Sequence, residues 1–138
     1  MHPHLETLTV ATPGPGLTDI TREVAMVVRA SAIADGQATL FIRHTSASLV
    51  IQENADPDVL ADLQTFFARI APQTDAYRHA TEGPDDMPAH IKSALTATSL
   101  TIPVSDGKML LGTWQGVYVF EHRARPHTRS VVVQVMGA

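Results

Sequence analysis

The chain contains no cysteine. Disulfide bonds, thiolate nucleophiles and cysteine-built zinc or iron–sulfur sites are therefore excluded. Aromatic residues make up only 5% of the 138 positions, too few for a base-stacking surface. Basic residues are scattered and the formal net charge is −4, which argues against nucleic acid as the main partner. No apolar run approaches the roughly 20 residues of a membrane-spanning helix. The stretch MHPHLETLTV lacks the basic region and long apolar core of a signal peptide. A cytoplasmic location with no membrane partner is the expectation. Also missing are a P-loop, a G-x-S-x-G elbow, an HExxH pair and a dinucleotide-binding glycine fingerprint.

What is present is an ordinary globular composition, 44% hydrophobic and 17% charged. The length suits one domain over residues 1–138. A chain of this size buries roughly two-thirds of its unfolded surface and needs no metal or disulfide to fold.

Residues 4–12 alternate with period two and predict a strand. The PGPG at 13–16 predicts a loop. Ile20, Val24, Val27 and Val28 recur at helical spacing, with Thr18 or Asp19 as the expected N-cap. ATLFIRHT and SASLVIQE predict two strands. DPDVLADLQTFFARI predicts a helix with one apolar stripe from Val59 to Ile70. Residues 72–88 lack a period and predict a long loop, and a short helix follows with Pro88 in its first turn. SLTIPV and KMLLGTW around SDG predict a hairpin, followed by strands QGVYVFEH and TRSVVVQV. Strands in neighbouring pairs with short links predict an α+β fold: a mostly antiparallel or mixed sheet with about three helices packed against it.

Several residues could carry chemistry, each with an ordinary reading beside it. His44 continues the apolar row Leu40–Ile42 and is followed by Thr45, Ser46 and Ser48. It is either an acid–base or phosphate-binding imidazole at a strand end, or a strand-ending histidine bonded to a hydroxyl. Asp56 before Pro57 is what a helix N-cap needs, and Asp58 suits the first turn. Glu53 and Asn54 are not explained that way, and with a further carboxylate they offer oxygen ligands to a divalent cation. His79 shares its loop with Glu82, Asp85 and Asp86, either a cation site or a solvated lid. His90, placed in the first turn of its helix, would sit beside free backbone N–H groups that favour an anion, or else lie exposed. Glu121 shares a strand face with Val117 and Val119, a costly place for an unpaired carboxylate. His44 and Lys108 are its candidate partners.

HTSASLVIQENADPDV, AHIKSALTATSLTIPVSDGKMLLGTWQGVYVFEHR and the closing RSVVVQVMG together resemble the YjbQ-like family, small uncharacterised proteins described as secondary thiamine-phosphate synthases. The resemblance runs from about Leu5 to Gly137. It implies a homotrimer with polar pockets near subunit contacts, so that one site can draw on two chains. The family pattern carries over to His44, Thr45, Ser46, Asn54, Asp56, His79, His90, Trp114, Gln115 and Glu121. Many relatives have a cysteine where this chain has Phe120, so a step using that thiol is not carried over. The implied reaction joins hydroxymethylpyrimidine diphosphate to a thiazole phosphate and releases pyrophosphate. His44, His90 and Glu121 are then the expected catalytic groups, and Thr45, Ser46, Asn54, Asp56, His79, Trp114 and Gln115 the expected substrate-binding groups. Mg²⁺ is the expected cofactor and a small phosphorylated metabolite the expected partner. A metal-dependent hydrolase and a non-enzymatic trimeric binder of an anionic metabolite are the competing expectations.

Overall fold

The structure is a computed structural model and describes residues 2–138. Eight strands and three helices follow one another as β1 (His2–Thr12), β2 (Gly16–Asp19), α1 (Thr21–Ala30), β3 (Gly36–Ile42), β4 (Ala47–Glu53), α2 (Pro57–Ile70), α3 (Asp86–Leu95), β5 (Ser99–Ser105), β6 (Lys108–Met109), β7 (Gln115–Glu121) and β8 (His127–Gly137). The strands form two sheets, ordered β1-β8-β3-β5-β6 and β2-β7-β4. Every strand pairing among the described residues is antiparallel. This is the expected α+β fold, with the strands divided between two sheets.

Alternation decides what fills the space between them. In β8 the inward row is Arg129, Val131, Val133 and Val135, and β3 adds Ala38, Leu40 and Ile42. The smaller sheet contributes Leu49 from β4 with Val117 and Val119 from β7. Val24, Val27 and Val28, the apolar side of α1, close the same core. β7 is buried on its other face too. There Phe120 meets Phe67 of α2 edge to face, with ring centroids 5.4 Å apart.

The elements depart from the sequence reading at several points. The supposed loop at 13–16 runs into β2, a four-residue strand held by its backbone bonds to β7 and too short to show a period. α1 starts at Thr21 with no side-chain cap on its N-cap residue Ile20. Thr18 lies in β2, and the Asp19 carboxylate accepts from the Thr21 N–H at 2.9 Å, just ahead of the helix. α3 starts two residues before Pro88, which places His90 in the second turn, away from the free N–H groups. β6 is only two residues long, although the SDG turn forms as expected: Asp106 and Gly107 have φ of 54° and 74°. The stripe of α2 is only partly covered, and Phe66 and Ile70 remain exposed.

One polar contact sits inside this apolar frame. Glu121 continues the Val117–Val119 row and Arg129 the Val131–Val135 row, so the two rows end in opposite charges facing each other across the sheets. Arg129 donates to both Glu121 carboxylate oxygens, Nε reaching Oε1 at 2.7 Å. Thr12 of β1 lies 2.7 Å from Oε1, and Oε2 accepts the N–H groups of His122 and Arg123 at 3.1 Å. Neither His44 nor Lys108 is the partner of Glu121. Burial alone would push the Glu121 carboxyl upward, but the Arg129 and Thr12 hydrogen bonds outweigh it and hold the group below its ordinary value. Arg129→Met should therefore lower unfolding free energy by about 3–5 kcal/mol, because it strands a buried carboxylate. Adding Glu121→Leu should recover most of that loss in chemical denaturation. A single mutant within about 1 kcal/mol of wild type, the usual worth of a surface pair, would show the pair to be dispensable.

Candidate functional site

β4 and β7 pair so that Ala47 lies opposite Glu121 and Glu53 opposite Gln115. Residues at the two ends of β4 are thus about 20 Å apart. This separation divides the expected site in two.

At the far end, Asn54, Asp56, Trp114 and Gln115 hold the chain in its turns. The Asn54 amide donates to the Thr113 and Gln115 carbonyls at 3.1 and 3.4 Å. Gln115 Oε1 accepts from Gly112 N–H at 2.7 Å. Asp56 accepts from Asp58 N–H at 2.9 Å and caps α2. The Glu53 carboxylate accepts from Ala55 N–H at 2.8 Å. Trp114 is 64% exposed. Within one chain these groups do not meet the histidines; the Asn54 amide N–H₂ and one Glu53 carboxylate oxygen are engaged in turn bonds.

At the near end, His44, Thr45, Ser46, His90 and Ser93 line a cleft of about 680 Å³ between the end of β3 and α3. His44 Nε2 accepts from Ser130 N–H at 2.8 Å. In the neutral ring the proton is therefore on Nδ1, which lies 3.4 Å from Arg129 Nη1. Two N–H donors face each other there, and no other protein group among the described residues bonds Nη1. Burial, then the Arg129 charge, lowers the His44 pKa. The same guanidinium donates through Nη2 to Ser46 Oγ at 3.0 Å. Ser93 Oγ is buried without a partner.

On the α3 wall of the same cleft, His90 has the opposite surroundings. Its Nδ1 faces the Thr45 carbonyl at 2.9 Å and its Nε2 faces Asp86 Oδ2 at 3.1 Å. His79 Nε2 meets the same Oδ2 at 2.6 Å. The ligand atoms of His79, Asp86 and His90 all lie within 4.8 Å of one another, the spacing a metal ion needs. Asp86 Oδ1 is paired with Arg123 Nη1 at 2.9 Å. Burial would raise the Asp86 carboxyl, but the His79 bond and the His90 and Arg123 charges hold it low. Arg123 also binds Asp85 and keeps that carboxyl at about 2. The loop before α3 is thereby tied to the end of β7.

A family model described as UPF0047 protein YjbQ-like matches residues 6–138. The chain belongs to the YjbQ family. It is 56% identical to the UPF0047 protein sll1880 of Synechocystis sp. over 135 residues, which are 97% of this chain and 92% of that protein. It is 39% identical to the UPF0047 protein YjbQ of Escherichia coli O157:H7 over 133 residues, 96% of each. Among solved structures, an uncharacterised YjbQ/UPF0047-family protein from Clostridium acetobutylicum is 37% identical, with a TM-score of 0.88 over 95% of this chain and 99% of that one. A conserved hypothetical protein from Thermus thermophilus is 35% identical, with a TM-score of 0.86 and the same coverage.

In this YjbQ-family chain the near-end cluster includes Arg129, which the sequence reading passed over, and Asp86, which it named only as one of three carboxylates in the His79 loop. Arg129 was legible by the signal that picked out Glu121, a charge in register with a valine row. Asp86 was legible as the residue four before His90 on one helix. His122 is 4% exposed, and burial, then the charge of Lys92, lowers its pKa to about 3.

An acid-side loss of stability follows. Above the ordinary value of 6.5, His44 and His122 are neutral in folded and unfolded chain alike. As pH falls below 6.5 the unfolded rings take up protons that the folded ones refuse, so stability declines with acid. Between about pH 6.5 and 5 the slope should approach about 1.4 kcal/mol per pH unit for each fully shifted ring. His122→Gln should flatten urea-denaturation midpoints over that interval, and an unchanged slope would count against a neutral buried ring.

Proposed function

We propose that the chain is a phosphate-handling enzyme, a transferase of the thiamine-phosphate synthase type working with a divalent cation at His79, Asp86 and His90. The observation that carries this reading is the convergence of His44 Nδ1–H and Arg129 Nη1–H with no acceptor between them. An oxygen placed there would receive both hydrogen bonds, and a phosphate supplies such an oxygen with charge to match the guanidinium. The resemblance to described thiamine-phosphate synthases supplies the substrate class.

In the proposed reaction the thiazole nitrogen of one substrate forms a bond to the pyrimidine methylene carbon. The bond from that carbon to the diphosphate oxygen breaks, and pyrophosphate leaves with the electron pair. Negative charge builds on the leaving oxygens, and groups aimed at those oxygens lower the barrier. His44 lines the cleft with the buried Arg129 guanidinium directly behind it, so that a phosphate entering at His44 is drawn toward both groups, and Arg43 stands at the exposed rim.

The histidine–aspartate group suits a cation. The Thr45 carbonyl accepts from His90 Nδ1–H and so aims the Nε2 lone pair at Asp86, the outer-shell arrangement common to metal-binding imidazoles. A bound cation supplies further charge stabilisation to the leaving group. Two imidazoles with one carboxylate favour Mn²⁺ or Zn²⁺ over Mg²⁺, which prefers oxygen ligands. A homotrimer would add the exposed Trp114 and Gln115 of a neighbouring subunit to the cleft. The open cation group also fits a metal-dependent phosphohydrolase, distinguishable because it releases inorganic phosphate from phosphomonoesters without a thiazole acceptor.

With both precursors and Mn²⁺, the purified protein should form thiamine phosphate detectable by mass spectrometry. His44→Ala and His90→Ala should each lower the rate about a hundredfold, the scale of a lost transition-state donor or proton-transfer group. No product at high enzyme concentration with Mn²⁺, Zn²⁺ or Mg²⁺ would sink the reading. Independently, Asp86→Asn should weaken Mn²⁺ binding in calorimetry by at least about tenfold to a hundredfold. Equal affinity would remove the cation from the site.

A further inference from the structure

On the other side of α3 from the cleft, a small cavity of about 180 Å³ lies between α2, α3 and β7. Gln64 and Phe67 of α2, Lys92 of α3, and Phe120, Glu121 and His122 at the end of β7 are among its walls. Two of these groups lack a partner. Lys92 has no hydrogen-bond or ion-pair partner for its ammonium among the described residues, although it is half-buried. His122 Nδ1 is buried with nothing bonded to it.

The state of that nitrogen follows from a chain of bonds. His122 Nε2 lies 2.9 Å from Ser48 Oγ, the Ser48 and Thr96 hydroxyls lie 2.6 Å apart, and Thr96 Oγ1 lies 2.7 Å from the Lys92 carbonyl. A carbonyl only accepts, so the Thr96 proton points to it. The Ser48 proton then points to Thr96 Oγ1, and Ser48 must accept from His122 Nε2–H. Nδ1 is left as a bare lone pair in a wall that also carries an uncompensated cation. Glu121 adds no free negative charge, because Arg129 neutralises it on the far side.

An occupant must therefore offer negative oxygen to Lys92 and a proton to His122 Nδ1. Neutral molecules fail the first requirement, and fully ionised anions such as sulfate or a phosphate-ester dianion fail the second. We propose that this cavity binds a small oxyanion that retains a proton at neutral pH, namely hydrogen phosphate or bicarbonate, between Lys92 and His122. The cavity is separate from the His44 cleft, so its occupancy stands or falls independently of the proposed transferase.

The test is a titration of histidine-¹⁵N-labelled full-length protein at neutral pH and constant ionic strength. Inorganic phosphate, bicarbonate, methyl phosphate and sulfate are added separately. Phosphate or bicarbonate should move the His122 Nδ1 resonance from the free-acceptor position toward that of a hydrogen-bonded nitrogen, and sulfate and methyl phosphate should not. Whichever of the first two acts at lower concentration identifies the ligand. Lys92→Gln should weaken the response about tenfold or more, as expected for the loss of a charge-assisted hydrogen bond. An unmoved His122 signal, an equal response to sulfate, or a response confined to His44 overturns the proposal, and wild-type protein alone suffices for each of these outcomes. A Lys92→Gln response equal to wild type overturns it as well.

Discussion

A single buried ion pair organises the cleft end of this fold. Glu121 and Arg129 terminate two valine rows on opposite sheets, and Thr12 brings in a third strand. Removing two charges from water is costly, and the cost is offset only when the remaining lone pairs and protons are also bonded. Here the carboxylate accepts from a guanidinium, a hydroxyl and two backbone N–H groups, so it is well compensated. Replacing the pair with aliphatic residues of similar size would preserve the core. What the pair adds is orientation: it fixes Arg129 so that Nη2 holds Ser46 and Nη1 points to His44.

Three histidines near one another meet three different electrostatic fates. His44 is pressed between two donors, which favours the neutral ring. His90 lies between two acceptors, the Thr45 carbonyl and the Asp86 carboxylate. His122 is enclosed, with one nitrogen in a hydroxyl chain and the other unpartnered. The backbone accounts for the difference. His44 ends β3 beside β8, His90 lies one turn inside α3 above Asp86, and His122 follows β7 beneath α2.

Much of the fold was legible because its cause is local. The two-residue period of β8, the Asp56-Pro57 start of α2 and the Asp106-Gly107 turn each depend on neighbours in the chain, and each formed. β2 was not legible, since four residues show no period and β7 alone makes them a strand. The candidate site was half legible. His44, Ser46, His79 and His90 were singled out and do gather, whereas Asn54, Asp56, Trp114 and Gln115 occupy the opposite end of β4. Shared membership of a motif placed them in one group, and the length of an extended strand holds them apart.

The sequence by itself determined which residues face inward, because alternation and helical spacing are properties of the chain. It also determined that two charges had to lie at the ends of apolar rows, and that no thiol chemistry operates. Tertiary structure alone decided how those charges pair. Register across β1, β8, β7 and β4 brings together side chains from different strands, and no local rule specifies it: Arg129 rather than Lys108 meets Glu121, and Thr12 from the first strand bonds the same carboxylate.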